Sequence, residues 1–138
     1  MEECIFCKIA NKEVPAHIVY EDSGHMAFLD RSPVTPGHTL VITKTHCLNM
    51  LDASDDSLQK LAVVVKKVAR AVLKGAEAHG VNVSMNNGKA AGQLVQHVHW
   101  HVIPRFINDG LRHWPHGSYK EGQADEVAKR IRKALDSQ

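Results

Sequence analysis

Several things that would settle the class of this chain at once are scarce in it. Only three of its 138 residues are cysteine. That is too few, and an odd number, for the disulfide framework of a small exported domain. Aromatic residues make up 5%, so any core must be built mainly from aliphatic side chains. Neither sign of charge dominates: 17 basic residues face 15 acidic ones, a net charge of +2 with histidine neutral. The basic footprint of a duplex-binding protein is therefore missing, and no nucleic-acid partner is expected. No apolar run approaches the ~18 residues of a bilayer span. The first residues, Met1-Glu2-Glu3-Cys4, are acidic where an export signal would be basic and then apolar. These absences predict a cytoplasmic protein without membrane contact, its cysteines kept as thiols.

What is present suffices for one core. A length of 138 residues with 43% hydrophobic content predicts a single domain over residues 1–138. A short helix is expected over Lys8–Lys12, after the Cys4–Cys7 turn. Strands are expected at His17–Glu21, Met26–Leu29 and Thr39–Thr43. A long helix then starts at the Ser54 cap, with Asp55 and Asp56 favoured by its dipole. Its buried stripe is Leu58, Leu61, Val65, Val68 and Val72, and Gly80 is the expected stop. Val81–Met85 reads as a fourth strand, Asn86–Gln93 as a polar loop, and a fifth strand runs to about Pro104. A closing amphipathic helix carries Val127, Ile131 and Leu135 on one side. This order offers few strand–helix–strand units. It predicts an α+β fold: a five-stranded antiparallel sheet with two main helices, the helices lying to one side.

Histidine is the abundant residue, ten in all, and His97-Val98-His99-Trp100-His101-Val102 concentrates three of them. Strand side chains alternate, so His97, His99 and His101 share one face and Val98, Trp100 and Val102 the other. Three readings compete for the imidazole face: a polar strand surface, a three-histidine catalytic metal site, or nucleophilic attack by a neutral imidazole on phosphorus. Separately, the two-residue gap between Cys4 and Cys7 suits zinc, with a redox pair as the alternative.

The alternating triad, the segment Asp30–Ile42 with Pro36-Gly37-His38, and the run Asn86-Asn87-Gly88 through Ala91-Gly92-Gln93 into the triad together resemble the histidine-triad (HIT) family over nearly the whole chain. The resemblance implies a small bacterial- or archaeal-type member that works as a homodimer, its tail from about residue 105 to 138 packing on the dimer. It implies a hydrolase or transferase that cleaves nucleotide conjugates at the α-phosphate. His99 would be the nucleophile forming a nucleotidyl-histidine. His101 would hydrogen-bond the phosphate, and His38 would fix the hydrogen-bond pattern. Asp30 would hold the ribose, and Asn86, Gly92, Gln93 and Leu94 would line the phosphate side. The expected ligand is a purine nucleotide, AMP or an AMP conjugate, and the expected activity a purine nucleoside phosphoramidase. A dinucleoside polyphosphate hydrolase is the alternative within the family, and a nucleotide-binding regulatory protein with incidental activity the alternative of another class. Leu94 departs from the small hydroxyl residue of two family branches, which leaves the choice of leaving group open. In related proteins His46 and the first triad histidine, His97, join the cysteines, so Cys4, Cys7, His46 and His97 are the expected ligands of a structural zinc. A Trp-Pro segment like Trp114-Pro115 reaches the partner's site in one branch; anchoring the tail is the other reading.

Overall fold

Short β-branched and apolar runs separated by turns fold as β1 (Ile18–Glu21), β2 (His25–Leu29), β3 (Thr39–Thr43), β4 (Gly80–Ser84) and β5 (His99–Arg105). The computed structural model describes residues 3–138; Met1 and Glu2, at the acidic start of the chain, lie outside the described residues. The strands form one sheet in the order β1-β2-β3-β5-β4, antiparallel throughout. Thr39–Thr43 reads as a near-continuous apolar run because β3 is central, and all five of its residues are buried.

The two sheet faces are covered by different helices. Ala27, Val41, Val98 and Val102 pack against Leu61, Val64, Val65 and Val68 of α2 (Asp55–Gly75). The opposite face, with Met26, Phe28, Leu40 and Ile42, packs against Phe6, Ile9 and Ala10 of α1 (Ile5–Ala10). The helices therefore do not lie to one side as the element order predicts. The short α1, with Phe6, Ile9 and Ala10 buried, covers the histidine face. The short helix also starts earlier than expected, because Cys4 caps it: its Sγ accepts the Cys7 N–H at 3.4 Å.

Helix α2 begins as its sequence dictates, with Ser54 Oγ accepting the Ser57 N–H. Its end differs from expectation. It stops at Gly75, and Gly80 opens β4 instead, opposite Arg105. Glu77 adopts a left-handed conformation, φ 53°. Ala78 N–H then reaches Leu73 O and Glu77 N–H reaches Lys74 O, the paired bonds that close a helix end. A glutamate in the place glycine usually takes conceals this stop in the sequence.

The third helix, α3 (Gln123–Asp136), has no buried residue. It follows residues 107–122, which contain neither helix nor strand.

Candidate active site and metal centre

The sheet register gathers the site. Ile42 lies opposite His99 and Leu40 opposite His101, so both rings project from the α1 face, 5.1 Å apart between centroids. The strand begins only at His99. His97 sits just before it, its N–H turned onto Val95 O, while Val98 N–H bonds Cys47 O. Alternation persists across this break, but His97 faces a different cluster from His99. Phe6 stands between them, edge-on to both rings at 5.9 and 5.1 Å.

His38 comes in from the loop before β3. Gly37 precedes it at φ +100°, where a Cβ would stand 3.3 Å from Pro104 Cγ. Only glycine makes that turn without strain. Asp30, at the end of β2, binds the same segment by donating its N–H to His38 O.

Backbone partners have fixed roles, so they assign the proton on each ring. Val34 N–H donates to His38 Nδ1 at 3.1 Å. The neutral His38 therefore carries its proton on Nε2, and donates it to His101 Nδ1 at 2.9 Å. His101 accordingly holds its own proton on Nε2. His99 Nδ1 lies 2.7 Å from the carbonyl oxygen of His97 and must donate to it, which leaves Nε2 with a free lone pair. Trp100 Nε1 is the only fully buried side-chain nitrogen or oxygen without a partner among the described residues. His99 Nε2 and His101 Nε2, which have none either, therefore reach solvent. The result is one nucleophilic nitrogen and, on the next inward-facing residue, one N–H donor.

Burial keeps these rings neutral. It lowers the pKa of His99, against the pull of the His97 carbonyl and of Asp30. It lowers His38 as well, and with the neighbouring His99 and His38 it brings His101 down to about 4. Asp30 Oδ1 accepts from Ser32 N–H at 2.8 Å, and its Oδ2 lies 3.7 Å from His38 Nε2, leaving that oxygen open to a ligand.

Cys4, Cys7, His46 and His97 converge on a separate point, their ligand atoms all within 4.8 Å of one another. His97 Nε2–H donates to Thr43 O at 2.7 Å, so its Nδ1 lone pair faces the sulfurs, 3.3 Å from Cys4 Sγ and 3.6 Å from Cys7 Sγ. His46 Nδ1 stands 3.4 Å from Cys7 Sγ. A tetrahedral zinc at ordinary bond lengths holds its sulfur and nitrogen ligands about 3.5 Å apart. The donor set and its spacing fit zinc, and the Thr43 carbonyl orients the ligating ring. The three strand histidines do not meet at one metal: His97 belongs to the cysteine cluster and His99 uses Nδ1 on a carbonyl. The three-histidine metal reading is thereby excluded.

The phosphate-side loop differs from expectation in two ways. Gln93 is 2% exposed, and its amide is saturated inside the protein. Its Oε1 accepts from Gly88 N–H and from Asn49 Nδ2, and its Nε2 donates to Leu48 O and Val95 O. A side chain with every valence used is a strut between two loops and has nothing left for phosphate. The amides of Ala91, Gly92 and Gln93, on the loop expected to line the phosphate side, also turn inward, to Gly88 O, Lys89 O and Gly88 O, and are not free to bind an anion. Asn86 braces the turn by donating Nδ2–H to Gly92 O at 3.4 Å. Gly92, at φ +92°, lets it form. Leu94 is 90% exposed, and among the described residues its amide has no hydrogen-bond partner. Sequence reasoning missed Asn49, which is buried and clips the Leu48–Leu51 segment to Gln93. It also missed the backbone groups of Val34 and Thr43, which carry no side-chain signature.

Known proteins resemble this chain in sequence and in fold. The HIT domain profile matches residues 11–108. A HIT-like protein of Methanocaldococcus jannaschii is 46% identical over 129 residues, 94% of this chain and 98% of its own. An adenosine 5'-monophosphoramidase of Schizosaccharomyces pombe is 44% identical over 102 residues, 74% of each chain. Among solved structures, a zinc-bound histidine triad family protein from Mycobacterium smegmatis superposes with a TM-score of 0.77 at 37% identity, covering 99% of this chain and 97% of its own.

Proposed function

The chain belongs to the HIT domain family, and from that premise we propose that it is a nucleotide hydrolase or transferase working through a nucleotidyl-histidine on His99. The observation that carries the reading is the His99 ring itself: Nδ1–H is held by the His97 carbonyl and Nε2 is left basic, neutral and open. In the first step the Nε2 lone pair forms a bond to the α-phosphorus as the bond to the leaving group breaks. An amine leaving group departs with a proton from solvent. The ring becomes a phosphoimidazolium, whose positive charge is stabilised by the His97 carbonyl and the Asp30 carboxylate. His101 Nε2–H donates to a phosphate oxygen. In the second step water adds to phosphorus, the N–P bond returns its electrons to Nε2, and the water proton leaves to solvent.

Asp30 Oδ2 is the acceptor offered to the ribose hydroxyls, and the free amide of Leu94 is the donor offered from the phosphate-side loop. The substrate we favour is a purine nucleoside phosphoramidate releasing AMP, supported by the name of the 44%-identical yeast relative. Zinc on Cys4, Cys7, His46 and His97 would act structurally, by neutralising two thiolates and tying α1 to the strand that bears His99. We place the protein in the cytoplasm as a homodimer whose single domain spans residues 1–138. Among the described residues no helix is long and apolar enough to cross a membrane.

The test is intact-protein mass after mixing with adenosine phosphoramidate and quenching without acid. The expected result is an added nucleotidyl mass in wild type that is missing in His99→Ala. Turnover by the variant without any adduct would overturn the assignment. Faster turnover of a dinucleoside polyphosphate than of the phosphoramidate would keep the mechanism and change the substrate.

A further inference from the structure

We propose that Cys4 and Cys7 form a site of reversible oxidation: a hydroperoxide converts the two thiolates into a disulfide, and the zinc they hold is released. The proposal rests on the structural zinc reading and is independent of the chemistry at His99. In the sequence a zinc pair and a redox pair are alternatives. The geometry makes them two states of one site.

The two sulfurs are close enough to join, lying within 4.8 Å of each other. Cys4 is the cap of α1, extended at φ −76° and ψ 112°, and Cys7 sits on the first turn. Side chains three residues apart on a helix hold their Cβ atoms about 5–6 Å apart, and a disulfide needs roughly 3.5–4.5 Å. Cys4 lies outside the helical backbone, so a small rotation at the cap closes that gap and leaves the helix intact.

Access assigns the two cysteines different roles. A cleft of about 520 Å³ opens beside the metal centre, lined by Cys7, Lys8, Asn11, Lys44, Thr45 and His46. Cys7 borders it and Cys4 does not. The third cysteine, Cys47, packs on the core beneath α2, on the opposite sheet face, and does not compete for either partner. Metal coordination keeps a thiol deprotonated, and the thiolate is the form that a peroxide oxidises.

In the first step the Cys7 sulfur forms a bond to the hydroxyl oxygen of the hydroperoxide as the O–O bond breaks. The other oxygen leaves as an anion and is protonated by solvent. Cys7 is then a sulfenic acid. The Cys4 thiolate attacks its sulfur, the S–O bond breaks, and hydroxide leaves. The two thiolates have lost two electrons and the hydroperoxide has gained them. His46 and His97 alone remain, two of the four ligands that a tetrahedral zinc requires. A dithiol reductant reverses the change, in keeping with the transient disulfides of a reducing compartment.

The test treats full-length, zinc-loaded protein with hydrogen peroxide. Zinc release is followed with a colorimetric chelator, and intact mass is taken after free thiols are alkylated. Zinc release and disulfide are expected to advance one for one. The bond should map within the tryptic peptide of residues 1–8, with Cys47 still free for alkylation. Dithiothreitol with added zinc should restore the starting mass and metal content, and Cys47→Ser should release zinc at the wild-type rate. Cys4→Ser keeps an oxygen cap on α1 but has no second thiol, so dimedone should trap the sulfenic acid on Cys7. Zinc retained while Cys47 or a methionine takes up oxygen overturns the proposal, and so does a disulfide that includes Cys47. Metal analysis before oxidation separates an earlier failure. Protein that does not take up zinc removes the metal reading and this exchange with it, whereas the nucleotidyl adduct on His99 tests the catalytic reading by itself.

Discussion

His97 and His99 are two residues apart, face the same side of the chain and share Phe6 as a neighbour, yet they present opposite nitrogens. His97 gives its Nε2–H to Thr43 O and keeps the Nδ1 lone pair for the cysteine cluster. His99 gives its Nδ1–H to His97 O and keeps the Nε2 lone pair for the cleft. Burial makes both neutral, His97 at about 4. The difference between a metal ligand and a nucleophile is thus set by which nitrogen a backbone carbonyl occupies. It also links the centres: the carbonyl that fixes the nucleophile belongs to the metal-ligating residue.

The sharpest way to break this contrast is to remove each ring in turn. His99→Ala should lower kcat/KM on the order of 10⁴-fold or more, with zinc content by metal analysis and Tm nearly unchanged. His97→Ala should do the reverse. It should lose the metal and several kcal/mol of stability, about 10 °C or more in Tm, and keep a measurable nucleotidyl adduct in whatever fraction stays folded. If zinc and adduct disappear together in His99→Ala, the two rings form one centre and the contrast fails.

Gln93 sharpens the contrast from the loop side. Gln93→Leu strips partners from Gly88 N–H, Asn49 Nδ2, Leu48 O and Val95 O together. With one to three kcal/mol for each buried group left unsatisfied, a loss of about 3 kcal/mol or more is expected. Urea denaturation measures it. A residue that touched phosphate would instead raise KM and leave the denaturation midpoint where it was.

The pH dependence of stability separates the catalytic rings from the rest by a smaller amount. His101 is neutral in the folded protein down to about 4, whereas an unfolded histidine takes up its proton near 6.5. Between these values the unfolded chain binds more protons, so stability falls as pH drops through that window and the loss levels off below it. The urea midpoint of wild type should decline from pH 7 to 4.5 more steeply than that of His101→Gln. Equal slopes would mean that His101 is already charged in the fold.

Much of this was legible locally. The alternation of His97, His99 and His101, the gap between Cys4 and Cys7, and the Ser54 cap are side-chain patterns over a few residues, and each lies where its pattern puts it. What the sequence hides is carried by backbone groups or by distant partners. The proton positions depend on Val34 N–H and the carbonyls of Thr43 and His97, none of which has a residue signature. Gln93 is silenced by partners at Leu48 and Asn49, far away in the chain. The inward amides of Ala91–Gln93 follow from a 3₁₀ turn at Lys89–Ala91, whose closure a polar, glycine-bearing loop does not announce. Helix α1 covers the histidine face because Phe6, Ile9 and Ala10 are apolar on one side, a pattern too short to read in six residues.

The smallest effect serves as the control for the others. Glu77 holds a left-handed conformation, which costs a side-chain-bearing residue roughly 1–2 kcal/mol that glycine does not incur. Glycine gives part of this back through the greater freedom of its unfolded chain. Glu77→Gly should therefore stabilise the protein by about 0.5–1 kcal/mol, a rise of a few degrees in Tm, because the bonds from Glu77 and Ala78 back to Lys74 and Leu73 are made by the backbone and remain. The site lies at the end of α2, on the sheet face opposite the histidines, so zinc content and kcat/KM should stay at wild-type values. Should activity follow this stabilisation, Tm and catalysis would be coupled through the whole fold. The losses in His97→Ala and Gln93→Leu could then no longer be divided between a metal centre, a strut and a nucleophile.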